Sequence, residues 1–414
     1  MKLSLLESTR VWLRKAVDLM GYGEDVYEML KEPQRVLHVR FPVKMDDHTI
    51  KVFTGIRAQH NDAVGPTKGG IRFHPEVDLD EIKALSIMMT LKCNIMYLPY
   101  GGGKGGVICN PEELSKDELE AVSRGFVRAI SQVVGPTKDI PAPDVYTNPQ
   151  VMAWMMDEYS KIREYDAPGF ITGKPISLGG SLGRASATAK GCAIVMEEAA
   201  KKIGLDLSKC TVAVQGCGNV GSYMVKFAEE MGAKVVAVCD VKGGVFNCEG
   251  ITYEQLKSHL DEFGTIRGLG NCQCMDPKDV LTIDCDILVP AAIENAISLE
   301  NVHDVKAKLI VEAANGPTTP EANKVLLDKG VFIVPDILAN AGGVTVSYFE
   351  WVQNNEGYYW TEEEIHEKLD LKMRAAFNRV YHLAQDKGID LRLAAHLAGI
   401  ERVVEAMRLR GWVR

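Results

Sequence analysis

Residues 211–221 read Thr211-Val212-Ala213-Val214-Gln215-Gly216-Cys217-Gly218-Asn219-Val220-Gly221, and Lys234-Val235-Val236-Ala237-Val238-Cys239-Asp240 follows a helical stretch over 219–231. An apolar strand thus runs directly into Gly-x-Gly-x-x-Gly, the last glycine lies inside a helix, and an acid ends the next strand 19 residues later. That order is the signature of a dinucleotide site. Gly216 permits the tight turn, Gly218 lets backbone approach a pyrophosphate, and Gly221 lets helix and strand pack closely. The helix N-terminus supplies unpaired N–H groups and a positive dipole end for phosphates. Asp240 accepts hydrogen bonds from a ribose diol and repels a 2′-phosphate, which favours NAD. Lys242 tolerates that phosphate, so NADP stays open.

Further apolar runs at 287–289, 309–311 and 331–333 repeat the pattern between helices and loops. Strands that are apolar throughout belong to a parallel sheet covered on both faces. The first half differs. A helix is predicted over 3–20. Val36–Phe41 and Ile50–Ile56 alternate as strands do. Helices follow over 79–97 and 115–133, and Asn148-Pro149 is a favoured helix start. Gly65–Gly70, Pro99–Gly106 and Pro141–Asp144 read as loops, residues 173–183 as a Gly-rich hinge, and the last ~75 residues as helices. The predicted fold is α/β with two domains: residues 1–182, joined by a C-terminal helix over 389–414, and a Rossmann-like domain over 183–388.

The 414 residues, at roughly 150 per domain, suit two large domains. With 46% apolar and 25% charged residues the composition is that of a globular protein. The net charge of −9 argues against nucleic acid and anionic membranes as partners. No run approaches the ~20 apolar residues of a membrane helix, and Glu7, Arg10, Arg14 and Lys15 interrupt any leader core. The ten cysteines are scattered without CxxC spacing, which predicts reduced thiols, a cytoplasmic protein and no metal site.

Three lysines stand out. Lys68 and Lys104 are flanked by glycines, where backbone can come close to a ligand. On a helical wheel Lys92 falls on the apolar side with Leu85, Met89 and Met96, opposite Ser86, Thr90 and Asn94. An ammonium there calls for an acidic ligand or snorkels to the rim. Gly103-Lys104 is not a Walker phosphate loop, because Leu98 and Gly105 stand where that motif needs glycine and Ser or Thr.

Leu98-Pro-Tyr-Gly-Gly-Gly-Lys104-Gly-Gly-Val-Ile-Cys-Asn-Pro111 closely resembles the active-site signature of the glutamate/leucine/phenylalanine/valine dehydrogenases. Gly65–Pro75, Met89–Lys92, Pro141–Thr147, Gly179–Thr188 and Asn340–Trp351 match further motifs of that family, in the expected order. The resemblance implies that Lys92 holds the substrate α-carboxylate, that Lys104 helps water attack the imino intermediate, and that Asp144 shuttles a proton to and from the amino nitrogen. Crowding by Lys68 and Lys92 is expected to depress the Lys104 pKa. The resemblance also assigns Thr188, Asn219, Val220, Asn315 and Asn340 to the cofactor, and gives the first domain the substrate and the contacts of a homohexamer.

In relatives that use apolar amino acids, the positions like Lys68 and Ser347 are typically apolar. A cation and a hydroxyl suit a distal carboxylate, and an ammonium facing an apolar side chain would cost several kcal/mol. The expected reaction is reversible oxidative deamination of L-glutamate to 2-oxoglutarate and ammonium. The alternatives are a branched-chain or other amino-acid dehydrogenase of the family, or a non-catalytic regulatory subunit of a mixed hexamer.

Overall fold

The two alternating runs pair as an antiparallel hairpin, with β1 (Arg35–Lys44) beside β2 (Ile50–Gln59). Alternation puts Phe41, Val43 and Phe53 on one face, buried against helices Lys116–Ile130 and Pro149–Arg163 through Val122, Phe126, Ile130, Met152 and Met155. The computed structural model describes residues 4–414 and divides into two units. One unit comprises the described residues up to Arg184 with Thr345–Ile365 and His396–Arg414; the other comprises Ala185–Val344 and His366–Ala395. The expected first helix is Leu5–Leu19, closed by a capping box between Ser4 and Glu7. Residues 1–3, which include the expected start of the first domain at 1 and of that helix at 3, lie outside the described residues.

In the first unit β3 (Thr67–Phe73), β4 (Gly101–Ile108) and β5 (Asp139–Pro143) complete a five-stranded sheet of order β1-β2-β4-β3-β5. All three strands fall in stretches that read as loops. Their glycines do not serve flexibility. A Cβ on Gly102 would lie 2.1 Å from the Ser86 carbonyl oxygen, and one on Gly69 would lie 1.6 Å from that of Gly103. Backbone packs on backbone, which only glycine permits. The helix pressed onto β4 is Leu79–Ile95, and its supposed outer side is inner: Ser86, Thr90 and Asn94 are fully buried. Thr90 Oγ1 accepts from the Gly102 amide at 2.8 Å, and Asn94 Nδ2 donates to the Tyr100 carbonyl at 3.2 Å.

In the second unit β6 (Thr211–Gln215), β7 (Lys234–Cys239), β8 (Gly244–Phe246), β9 (Gln273–Met275), β10 (Ile287–Pro290), β11 (Leu309–Val311) and β12 (Phe332–Val334) form one sheet of order β12-β11-β10-β6-β7-β8-β9. The five strands from β12 to β7 are parallel, as their apolar runs predict. β8 and β9 are antiparallel additions that the pattern did not show. The order reverses between β6 and β10, so the carboxyl end of β6 is the topological switch point where open α/β sheets bind ligands.

The domain boundaries need correcting. The chain returns to the first unit at Thr345, not 389, leaves it after Ile365 and re-enters at His396. Helix Gly342–Glu356 mixes apolar residues with buried polar ones (Thr345, Ser347, Glu350, Gln353), so periodicity could not show where it belongs. No helix among the described residues is long and apolar enough to cross a membrane. All ten cysteines are free.

Candidate functional site

Strand geometry assembles the first cluster. Ile71, Phe73 and Val107 point into the helical core, so the alternate residues Lys68, Arg72 and Lys104 share the opposite face of β3 and β4. Asp144 follows β5 and reaches the same face. Its backbone is tied down: the Asp144 amide donates to Thr147 Oγ1 at 2.8 Å, Thr147 Oγ1 donates to the Ile71 carbonyl at 2.9 Å, and the Phe73 amide donates to the Val145 carbonyl.

Lys104 Nζ meets Asp144 Oδ2 at 2.8 Å, and Arg72 Nε meets the same oxygen at 2.7 Å. Burial would push the Asp144 carboxyl up, but Lys104 and Arg72 outweigh it and hold the group below the usual carboxylate value. The Lys104 pKa is lowered, first by burial, with Asp144 opposing and Arg72 assisting. The expected direction therefore stands while its expected cause does not: Arg72, not Lys68 or Lys92, is the cation that crowds Lys104.

Lys68 is 1% exposed. Its ammonium donates to Thr172 Oγ1 at 2.6 Å, and that hydroxyl shares a hydrogen bond of 2.6 Å with Ser347 Oγ. Its Nζ also lies 6.0 Å from the ring centre of Tyr100, near enough for a cation–π contribution. Behind it Glu350 and Lys174 form a fully buried pair at 2.7 Å, and Glu350 also accepts from the Gly173 amide at 2.8 Å. Burial lowers the Lys68 pKa to about 7, Glu350 opposing and Arg184 and Lys174 adding to the fall. Lys68, Lys174 and Arg184 thus share one nearby carboxylate, an arrangement short of negative charge. Lys92 is half-buried on helix Leu79–Ile95, and both it and Lys68 act on the buried Cys93 thiol, whose own burial drives its pKa to about 12.

The second cluster lies at the carboxyl end of β6. Gly216 has φ +101°, which demands glycine, and a Cβ on Gly221 would lie 1.9 Å from the Gly216 carbonyl oxygen. Gly218 has neither constraint, with φ −75° and nothing within 4 Å of a Cβ. The open space over Gly218, at the start of helix Asn219–Glu230, is what an approaching pyrophosphate requires. Val220 is half-buried in the first turn of that helix, and Asn219 Nδ2 donates to the Ala185 carbonyl at 2.8 Å. Thr188 sits half-buried in the first turn of helix Ala187–Lys202. Asn340 Nδ2 donates to Asn315 Oδ1 at 2.9 Å, joining the loop after β11 to the C-terminal end of the short helix Asp336–Ala339.

Asp240 spends both oxygens on the protein: Oδ1 accepts from the amides of Lys242 and Gly243 at 2.7 and 2.9 Å, and Oδ2 from Thr265 Oγ1 and the Ile266 amide at 2.7 and 2.8 Å. Against the upward push of partial burial these bonds keep it ionised. The carboxylate is thereby fixed in place.

Sequence reasoning missed Thr172, Glu350, Lys174 and Arg72. Arg72 had a signal, being the second cation in a glycine-rich strand. Thr172 had none, since it lies just before the stretch read as hinge and belongs to no motif or periodic run.

Comparison with known proteins shows the family. Residues 179–411 match the family described as Glutamate/Leucine/Phenylalanine/Valine dehydrogenase, and residues 33–161 match its dimerisation domain. A cryptic catabolic NAD-specific glutamate dehydrogenase of Bacillus subtilis is 58% identical, covering 100% of this chain and 97% of that protein. An NAD-specific glutamate dehydrogenase of Staphylococcus aureus is 56% identical, covering 99% of each chain. The crystal structure of glutamate dehydrogenase from Peptoniphilus asaccharolyticus is similar with TM-score 0.90 at 46% identity, covering 99% of this chain and 100% of that one. The leucine-bound hetero-hexameric glutamate dehydrogenase of Thermus thermophilus gives TM-score 0.93 at 38% identity, covering 98% of this chain and 97% of that one.

Proposed function

Because this chain belongs to the Glutamate/Leucine/Phenylalanine/Valine dehydrogenase family, we infer that it is an NAD-dependent glutamate dehydrogenase, interconverting L-glutamate with 2-oxoglutarate and ammonium. The observation that carries the choice of substrate is the buried Lys68 ammonium on the Thr172–Ser347 hydroxyl pair. An apolar side chain would leave that donor set unanswered, whereas a distal carboxylate pairs with it.

The chain's own groups then have separable tasks. Lys68, with Ser347, holds the distal carboxylate, and Lys92 holds the α-carboxylate. Asp144 takes the proton from the α-ammonium, leaving the nitrogen lone pair to drive hydride departure. Lys104, as the neutral amine, takes a proton from water as that water attacks the imine carbon, and Asp144 returns a proton to the departing nitrogen. The turn Gly216–Gly221 fits a dinucleotide: the amides of Gly218, Asn219 and Val220 would hold the pyrophosphate, Asp240 the ribose, and Thr188, Asn315 and Asn340 the nicotinamide end. When bound there, NAD supplies the acceptor for the hydride that leaves the α-carbon. The ionised Asp240 supports NAD over NADP.

We place the protein in the cytoplasm as a homohexamer; the match to the family's dimerisation domain supports self-association. Initial rates with L-glutamate and L-leucine, each with NAD and NADP, together with light scattering, test the whole. Rapid turnover of glutamate with NAD and a mass near six chains are expected; leucine turnover with glutamate inert would reject the reading.

A further inference from the structure

Lys104 and Asp144 do not stand alone. Arg72 Nε reaches the same Asp144 oxygen that Lys104 holds, so the two nitrogens lie no more than about 5.5 Å apart. The other end of the guanidinium, Nη1, reaches Glu81 Oε1 at 2.5 Å. Glu81 is itself fixed in the first turn of helix Leu79–Ile95, where its amide donates to the Asp78 cap. The result is a chain of alternating charge, Glu81–Arg72–Asp144–Lys104, running from the helix through β3 to the loop after β5 and to β4. All four side chains are half-buried or buried, where charges are weakly screened.

We propose that Arg72 and Glu81 are positioning residues that set the protonation balance of the Lys104–Asp144 pair, Arg72 favouring the neutral amine and the ionised carboxylate and Glu81 moderating it. This deepens the reading of the site given above and rests on it. Arg72 is a guanidinium and stays charged throughout the working range. It repels a proton from Lys104 and from Asp144 alike. Glu81 faces the far side of Arg72 and cancels part of its field. The charged groups acting on Lys104 are Asp144 from the loop after β5, Arg72 from β3 and Glu81 from helix Leu79–Ile95, while β2 sets the uncharged Ala58 against it. Burial of Lys104 and the field of Arg72 act together, and the field of Asp144 opposes them.

The two residues must therefore act with opposite sign. Removing Arg72 raises the pH at which Lys104 loses its proton. Removing Glu81 leaves Arg72 less compensated and lowers it. A residue that only braces the loop has no reason to produce such a pair of shifts.

The test is the pH dependence of kcat/KM for glutamate with NAD in the wild type, Arg72→Gln, Arg72→Lys and Glu81→Gln, from pH 6 to 10. The rising limb should move up by about two pH units in Arg72→Gln and down by about one unit in Glu81→Gln, by Coulomb's law at an effective dielectric of about 20. Arg72→Lys keeps the charge and should return the limb most of the way. Competitive acetylation of the intact enzyme, with Lys104 followed by peptide mass spectrometry, reads the same titration without turnover. It therefore separates a failure of this inference from a failure of the glutamate assignment. Shifts of the same sign in the two variants, or none in Glu81→Gln, would overturn the proposal.

Discussion

Replacing Lys68 by Met should stabilise the protein while disabling it, and the gain should depend on pH. Lys68 is buried, and its pKa falls from the ordinary 10.5 to about 7. In the unfolded chain the ammonium is solvated and keeps its proton to higher pH. Between these values the unfolded state binds more protons, so wild-type stability rises with pH through this group. The burden is fully present below pH 7 and vanishes above 10.5. It amounts to roughly 5 kcal/mol at pH 6 and roughly 2 kcal/mol at pH 9, at 1.36 kcal/mol per pKa unit. Methionine keeps the length of the stem and removes the charge. The lost hydrogen bond to Thr172 offsets some of the gain, but equally at every pH. The difference in unfolding free energy between variant and wild type should therefore be larger at pH 6 than at pH 9 by roughly 3 kcal/mol, or roughly 6–12 °C in Tm for a unit of this size. Scanning calorimetry of the two proteins without substrate at pH 6, 7.5 and 9 measures it. A variant equally stable or less stable than the wild type at all three would refute the reasoning, because it would mean that the fold does not strain to hold this amine.

Other consequences follow from the same contacts. Thr172→Val leaves Lys68 in place but breaks its link to Ser347; KM for glutamate should rise on the order of tenfold with a smaller change in kcat, the loss expected for one hydrogen bond to a charged group, read in steady-state kinetics. Arg57 and Asp139 form a bidentate pair at 2.7 and 2.5 Å, both side chains fully buried. Arg57→Met should cost about 3–5 kcal/mol in urea unfolding by leaving the carboxylate uncompensated. Gly221→Ala drives a methyl into the Gly216 carbonyl, and should weaken NAD binding in a fluorescence titration by on the order of tenfold or more.

The dinucleotide turn was legible because each residue there does a local job. Gly216 turns, Gly221 packs, and the flanking apolar runs state their own burial. The three parallel strands of the first unit were hidden for the opposite reason. Their glycines and prolines are the marks of loops, and only the helix lying on Gly102 explains them. The same packing misled the wheel of helix 79–97, whose small polar residues face a strand and not water. Lysines 68 and 104 were visible as charges among glycines, yet what crowds Lys104 was not, since Arg72 approaches it through a shared carboxylate oxygen. Thr172 could be found only when the chain folded, 104 positions from its partner Lys68.

The central claim is that a half-neutralised buried amine waits for the far carboxylate of a dicarboxylic substrate. Calorimetric titration of 2-oxoglutarate into the enzyme, in buffers of different ionisation enthalpy, counts the protons taken up on binding. Near pH 8.5, where Lys68 is mostly neutral, uptake approaching one proton per chain is predicted, shrinking toward zero at pH 6; binding with no uptake at the higher pH would contradict the account.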